Sequence, residues 1–383
     1  MRAASVSDYR ELARRRLPKI FFEYIDGGSY AEATLRRNVA DLEAIALRQR
    51  VMKDMSKLDM AVTTLGQTLA MPVGLAPVGM AGMYARRGET QAAKAAAAAG
   101  LPFCLSAMGV CAAEEVAAAA GTPPWFQLYM LKDRGYMREL LARVKALGCP
   151  VLVFTVDLPT PGARYRDVRS GFTGSSGVSG ALNTAWDGAT HPAWLWDVWL
   201  NGRPHSLGSV ASALQGGGRS VTDFLGWVAR SFDRTVTWAD MDWVRETWDG
   251  PIVIKGVLDP ADAKDAVKAG AQGLVVSNHG GRQLDGVRSS ISALPRIAQA
   301  VGSDLEVYMD GGVRSGLDVL KALALGAKAC FIGRAWAYAL GAGGEARVAK
   351  MLGTLRSELS VAMILTGCAK AADAGRELLD EDV

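Results

Sequence analysis

The chain of 383 residues contains three histidines, and one of them has an unusual setting, the stretch VVSNHGGRQLDG from Val275 to Gly286. An apolar run leads straight into His279, two glycines and Arg282. A histidine alone is most simply a packed core or loop side chain. With an arginine three residues on, a second reading opens: an imidazole titrates near neutrality and can take a proton, while a guanidinium fork matches the two oxygens of a carboxylate. Asp157 could orient the ring and support the imidazolium that forms, and Arg164 could supply a second fork for an anionic substrate. The two glycines would let the backbone turn tightly enough for His279 and Arg282 to face one pocket. Asp285 fits either a positioning role on that loop or a simple turn.

Such groups act together only if a fold gathers them. Short β-branched or aromatic runs alternate with alanine-rich helical stretches, and the predicted strands are Val73–Ala76, Phe103–Ser106, Trp125–Tyr129, Val151–Thr155, Ile252–Lys255, Leu274–Ser277, Glu306–Asp310 and Ala329–Ile332. Between them lie predicted helices Glu89–Ala99, Ala112–Ala120, Gly135–Leu147, Pro260–Ala269, Ser289–Val301 and Gly316–Leu325. In KAGAQGLVVS and ALGAKACFIG a glycine ends a helix and a strand follows. Eight strands alternating with helices predict an α/β fold, a (β/α)8 TIM barrel rather than a doubly wound sheet. In that architecture chemistry sits at the carboxyl ends of the strands. That end would collect Ser106, Gln127, Tyr129, Thr155, Asp157, Lys255, His279, Arg282, Asp310, Gly333 and Arg334, with Arg164 beyond the fourth strand. A packed barrel core has no use for so many polar side chains, so they are expected to form one site. The glycines of DGGVRSG and FIGR suit a phosphate cradle and a plain turn equally.

The regular spacing breaks once, between the fourth and fifth strands. There Ser170 to Arg234 is rich in glycine and serine, carries Trp186, Trp194, Trp196, Trp199 and Trp227, and balances its acidic and basic residues. It reads as a loop insertion in a single domain spanning residues 1–383, serving either as a lid or subunit contact or as an interfacial membrane anchor, since tryptophan is favoured at the headgroup level. His191 and His205 within it are expected to be loop residues, and Met52, Met55 and Met60 packing residues.

Composition narrows the rest. Hydrophobic content of 50% with 21% charged residues belongs to a globular protein, and a net charge of +4 gives no reason to expect a nucleic-acid partner. The cluster Arg10, Arg14, Arg15, Arg16 and Lys19 is read as a solvated helix face that could also touch an anionic membrane. Five cysteines without a close pair suggest neither disulfides nor a metal site, and a reducing, cytoplasmic setting. The N-terminus lacks an apolar run of signal-peptide length, and the uncharged runs Thr63–Tyr84 and Ala95–Ala113 are broken by prolines and glycines, so no exported or membrane-spanning segment is expected.

SNHGGRQLDG, TVDLPTPGARYRD, IKGVLDPADA, DGGVRSGLDVLKALALGA and FIGRAWAYAL together resemble the motifs of the FMN-dependent L-2-hydroxy acid oxidase and dehydrogenase family, from about Asp8 to Leu365 apart from the insertion. FFEYIDGG and TLRRN look most like its bacterial respiratory L-lactate dehydrogenase branch. The resemblance implies FMN as cofactor, contacted by Pro77, Val78, Gly79, Ser106, Gln127, Thr155 and Ser277, with Lys255 near the flavin N1 and O2, and with Asp310, Gly312, Arg314, Gly333 and Arg334 at the ribityl and phosphate. It implies that Arg164 and Arg282 clamp the substrate carboxylate, that Tyr24 and Tyr129 bond to it or to the hydroxyl, and that His279 is the base. The expected reaction is L-lactate to pyruvate, with electrons passed to a membrane quinone by a homotetramer held peripherally at the cytoplasmic face of the inner membrane. A mandelate dehydrogenase, an oxygen-using oxidase of the same family, and an FMN-binding isomerase or non-catalytic flavoprotein are the rivals. Gly79 leaves room for a larger substrate tail, whereas His279, Arg282, Arg164, Lys255 and Tyr129 together argue against the last two.

Overall fold

The computed structural model describes residues 2–172, 186–205, 208–209 and 230–380. Eight parallel strands form the barrel: β1 Val73–Leu75, β2 Cys104–Ser106, β3 Trp125–Tyr129, β4 Leu152–Thr155, β5 Ile252–Val257, β6 Gly273–Val276, β7 Glu306–Asp310 and β8 Ala329–Ile332. Each pairs with its neighbour in sequence, β8 pairs with β1, and a parallel bridge between Leu75 and Phe103 closes the ring. Helices cover the outside and side chains fill the inside, so both faces of the sheet are dry; β1, β2, β4, β6 and β8 are buried along their whole length. Such strands read as unbroken apolar runs, which is why the sequence located all eight to within a residue or two.

The amino end of the barrel is sealed by a short hairpin, Val62–Thr64 with Gln67–Leu69, which the sequence reading did not anticipate. Leu65 and Gly66, both at positive φ, make its two-residue turn. Its Leu65 packs against an interior cluster in which the rings of Trp125 and Phe331 lie 5.4 Å apart and Tyr308 abuts both.

The N-terminal helical segment wraps the opposite end. Helix α1 (Val6–Arg16) begins with a capping box between Ser5 and Asp8 and packs on the helix Arg334–Gly343 that follows β8. Helices α2 (Lys19–Asp26) and α3 (Ala33–Ala44) follow. The basic cluster on α1 is only partly a solvated face. Arg16 turns inward, donates to the carbonyls of Tyr84 and Gly341 and pairs with Asp197 of the insertion at 2.6 Å, while Arg10 pairs with the buried Asp26.

Two expectations are corrected by burial. Met52 does not pack, being fully exposed at a positive φ. Trp194 does not face outward with the other insertion tryptophans: it is 4% exposed, its indole N–H donates to the Met83 carbonyl, and its ring meets that of Phe21 at 5.3 Å. Trp186, Trp196 and Trp199 are exposed, and Trp227 lies outside the described residues. His205 stacks on Trp199, and His191 bonds the Asp187 carbonyl, both as insertion residues. No helix among the described residues is long and apolar enough to cross a membrane.

Candidate active site

The carboxyl ends of the strands open into a cavity of about 630 Å³, within the usual range for a cofactor or small-ligand site. His279, Gly280 and Gly281, just beyond β6, all have positive φ, 58°, 64° and 73°. Three left-handed residues in a row are costly, and the first is not a glycine, so the surrounding structure must hold them. Ser277 accepts from the His279 N–H at 3.0 Å, and the Asn278 side chain accepts from the Gly281 N–H while exchanging hydrogen bonds with Asn38 of α3. Side chains at the glycines would collide, at Gly281 with the backbone of Leu35 at 2.6 Å and at Gly280 with the Arg334 guanidinium at 2.8 Å. The turn therefore puts His279 and Arg282 on the same cavity.

His279 is held from one side only. Its Nδ1 lies 3.0 Å from Asp157 Oδ1, which leaves Nε2 as the free ring nitrogen. Burial pushes His279 below the ordinary histidine value, and the Asp157 carboxylate opposes that without overcoming it. Burial equally disfavours the charged form of Asp157, yet His279 and Lys255 hold it below the usual carboxylate range. Both directions describe a neutral imidazole donating through Nδ1 to an ionised carboxylate, with a lone pair at Nε2. Space for Asp157 comes from Gly256, where β5 breaks register at a φ of 111° and a Cβ would come within 2.5 Å of the carboxyl carbon. Sequence reasoning gave Gly256 no role; a glycine directly after a strand-end lysine was the signal.

The cations form two layers. Lys255 is buried, 2.8 Å from Asp310 and 3.0 Å from the Ser277 hydroxyl; burial lowers its affinity for a proton, but Asp310 and Asp157 outweigh it and raise Lys255 above its ordinary value. Arg282 donates to the Tyr24 and Gly27 carbonyls at the end of α2 and lies 4.7 Å over the Tyr24 ring. Arg334 donates to Ile25, Gly27 and Gly280 carbonyls, and burial pulls it down to about 9, still cationic at neutral pH. A helix C-terminus offers free carbonyls to both guanidinium groups, which explains why α2 lies over the barrel mouth. Arg164 bonds the Arg282 carbonyl, and burial followed by the Arg282 charge lowers its pKa. Asp26 locks α2 in turn, paired with Arg10 and Arg166 and accepting from the Tyr338 hydroxyl. Asp285 positions the loop by accepting from the N–H groups of Ala33 and Thr34, so it caps α3.

Of the residues singled out from the sequence, Tyr24, Pro77, Val78, Gly79, Ser106, Tyr129, Arg164, Lys255, His279, Arg282, Asp310, Gly312, Arg314, Gly333 and Arg334 line this one cavity. Gln127, Thr155, Asp157 and Ser277 are not among its lining residues, though they lie on the same barrel strands or just beyond them. Asp167, Phe172 and Phe232 also line it and were missed, because nothing local marks a residue that reaches the site from the stem of an insertion.

The cavity suits a flavin nucleotide. Gln127 Nε2 and Thr155 Oγ1 are buried without a protein partner, the state expected of donors meant for a ligand's polar edge, and Gln127 Oε1 already accepts from Ser106. Lys255 sets a cation beside them. At the other side Gly311 and Gly312 have positive φ, a Cβ on Gly312 would strike the Asn38 carbonyl at 2.0 Å, and Arg314 and Arg334 flank this glycine-rich backbone as a phosphate site requires.

Residues 13–381 match the model of a family described as FMN-dependent dehydrogenase. The chain is 58% identical over 383 residues to an L-lactate dehydrogenase of Caulobacter vibrioides, covering 100% of this chain and 99% of that one. It is 56% identical over 373 residues to an L-lactate dehydrogenase of Ectopseudomonas mendocina, covering 97% of each. Among solved structures, the monotopic membrane protein (S)-mandelate dehydrogenase superposes with a TM-score of 0.92 at 30% identity, covering 99% of this chain and 100% of that one. A mandelate oxidase with (S)-4-hydroxymandelic acid superposes with a TM-score of 0.84 at 36% identity, covering 99% and 98%. With the family match running through nearly the whole chain, and buried donors, cations and glycine backbone where a flavin nucleotide needs them, this chain belongs to the FMN-dependent dehydrogenase family and is an FMN-dependent oxidoreductase.

Proposed function

We propose that the enzyme oxidises L-lactate to pyruvate and passes the two electrons to a membrane quinone. The observation that carries this is the meeting of a neutral, carboxylate-oriented His279 with Arg164 and Arg282 on one cavity. The arginines hold the substrate carboxylate, and Tyr24 and Tyr129 bond to it or to the hydroxyl. His279 Nε2 accepts a proton from the substrate, and Asp157 supports the resulting imidazolium. Bound FMN supplies the two-electron acceptor, held by Pro77, Val78, Gly79, Ser106, Gln127, Thr155, Ser277, Lys255, Asp310, Gly312, Arg314, Gly333 and Arg334. The relatives named L-lactate dehydrogenase support lactate as the acid. The likeness to (S)-mandelate dehydrogenase favours mandelate as the second candidate.

Exposed Trp186, Trp196, Trp199 and Leu200 on the insertion, and the monotopic neighbour, support peripheral attachment to the cytoplasmic face of the inner membrane. Exposed Val361, Ile364 and Leu365 on the last long helix support self-association, and the family resemblance supports a homotetramer as the assembly. The test is anaerobic mixing of holoenzyme with L-lactate or (S)-mandelate, followed by a quinone analogue or dioxygen. Fast bleaching of the flavin by lactate and fast reoxidation by quinone are expected. Faster bleaching by mandelate would reassign the substrate, and faster reoxidation by dioxygen would make the enzyme an oxidase.

A further inference from the structure

Four groups surround C2 of a 2-hydroxy acid, and three have assigned directions once the proposed function is granted: the carboxylate to the arginines, the hydroxyl to the tyrosine and histidine side, and the hydrogen to the reaction. The fourth, the substituent, is left with the apolar wall. The two stems of the insertion each add an aromatic ring to that wall. Phe172, three residues beyond the first stem's helix Tyr165–Arg169, is 1% exposed and its ring lies 4.6 Å from that of Tyr24. Phe232, at the return stem, is 3% exposed and packs edge-on against Tyr129 at 5.3 Å. Both line the cavity.

The backbone that carries each phenylalanine is tied in place. The Phe172 N–H donates to the Asp167 carbonyl at 2.8 Å, and the helix it follows starts directly after Arg164, so one short segment carries both a proposed carboxylate fork and part of the wall. Phe232 forms a backbone bridge with Leu131, flanked by bonds from Lys132 N–H to Ser231 and from Asp233 N–H to Met130, and the Asp233 carboxylate is gripped by Arg134 at 2.6 Å. The cavity of about 630 Å³ must also house the cofactor. A bulky substituent therefore meets buried aromatic surface carried on hydrogen-bonded backbone.

We propose that Phe172 and Phe232 form a size filter for the C2 substituent, admitting a methyl group and turning away an aryl group. The filter rests on the 2-hydroxy acid reading of the site, and its test is separable from that reading because it uses unreactive acids. Propionate and phenylacetate are titrated into the holoenzyme, binding being read from the absorbance of the bound flavin, for the native chain, Phe232→Ala, Phe232→Leu and Phe172→Ala. Native enzyme should bind propionate the more tightly. Phe232→Ala should shift the affinity ratio toward phenylacetate by roughly 10- to 200-fold, the range that pocket volume gives elsewhere, with Phe232→Leu shifting it less. The same order should appear in kcat/KM for (S)-mandelate against L-lactate. A native enzyme that binds both acids alike, or a ratio unmoved in Phe232→Ala and Phe232→Leu with flavin retained, overturns the filter. Failure of lactate to reduce the flavin while native enzyme still prefers propionate would instead overturn the lactate assignment and leave the filter standing.

Discussion

The two ends of the barrel are built from the same strands and treat polar groups in opposite ways. At the amino end, the Tyr308 hydroxyl donates to Glu306 at 2.7 Å, Thr64 bonds both, and the Leu65 N–H meets the same carboxylate. Trp125 donates to Gln67, so the hairpin is stitched to the strands it covers. At the carboxyl end, Gln127, Thr155, Asp157 and Asp310 each keep a buried polar atom without a protein partner, and three consecutive residues from His279 to Gly281 stand in left-handed backbone. Satisfied groups stabilise, while unsatisfied groups and strain persist only where the rest of the structure compensates. The contrast teaches that the carboxyl end is organised for a ligand and the amino end for stability.

The most severe way to break the carboxyl end is His279→Gln. The amide keeps bulk and polarity but cannot take a proton, so flavin reduction by lactate should fall by at least the roughly 10²- to 10⁴-fold typical of general base catalysis while yellow FMN stays bound. Near-normal stopped-flow reduction would remove His279 from the chemistry. The pH profile sharpens the point. A base works deprotonated, so kcat/KM should rise with pH through a midpoint below the ordinary histidine value, the direction in which burial has moved His279. Asp157→Asn removes the charge that opposes this shift, so the midpoint should move to still lower pH as the rate drops.

Arg282→Lys is the next step down. One ammonium cannot span the Tyr24 and Gly27 carbonyls and also present a fork to a carboxylate. Loss of one charge-assisted bond, about 1.5–3 kcal/mol, predicts a roughly 10- to 100-fold fall in kcat/KM. Unchanged kinetics would mean that the carboxylate is held elsewhere.

The amino end should respond in the other currency. Tyr308→Phe removes one of the donors to half-buried Glu306, which keeps the Thr64 hydroxyl and the Leu65 N–H, and stability measured by urea unfolding should drop by about 0.5–1.5 kcal/mol. Turnover per folded molecule should stay the same. A fall in kcat without a fall in stability would show that the two ends are coupled and that the division drawn above is wrong.

Much of the carboxyl end was legible because each of its residues follows a strand that is itself a conspicuous apolar run; His279, Lys255 and Asp310 needed only the barrel to bring them together. Local signals failed where one partner lies far away in sequence. Nothing near Gly256 says that Asp157 needs its space, and nothing near Asp285 says that it caps α3. The hairpin escaped because its strands are only three residues each, too short for a period to show. Trp194 was grouped with its neighbours by composition, yet burial separates it from them: its partners Phe21 and Met83 belong to segments that precede the barrel's second strand.

That separation also defines the gentlest perturbation. Trp194 pins the insertion to the protein, whereas Trp196, two residues on, is 67% exposed and its side chain has no hydrogen bond or ring partner among the described residues that would explain a tryptophan there. An exposed indole beside exposed Trp199 and Leu200 is suited to the headgroup region of a bilayer. Trp196→Ser should therefore leave flavin reduction by lactate and turnover with a soluble dye unchanged, because Trp196 does not line the cavity that gathers the proposed base, arginines and flavin contacts. Its effect should appear in sedimentation with anionic liposomes, where the bound fraction should fall, and in turnover with a quinone dissolved in those liposomes, which should fall with it. Equal sedimentation of native and variant chains would remove Trp196 from the membrane contact. A native chain that does not sediment at all would leave the exposed tryptophans to a protein partner and end the peripheral-membrane proposal, while the chemistry at the carboxyl end would stand untouched.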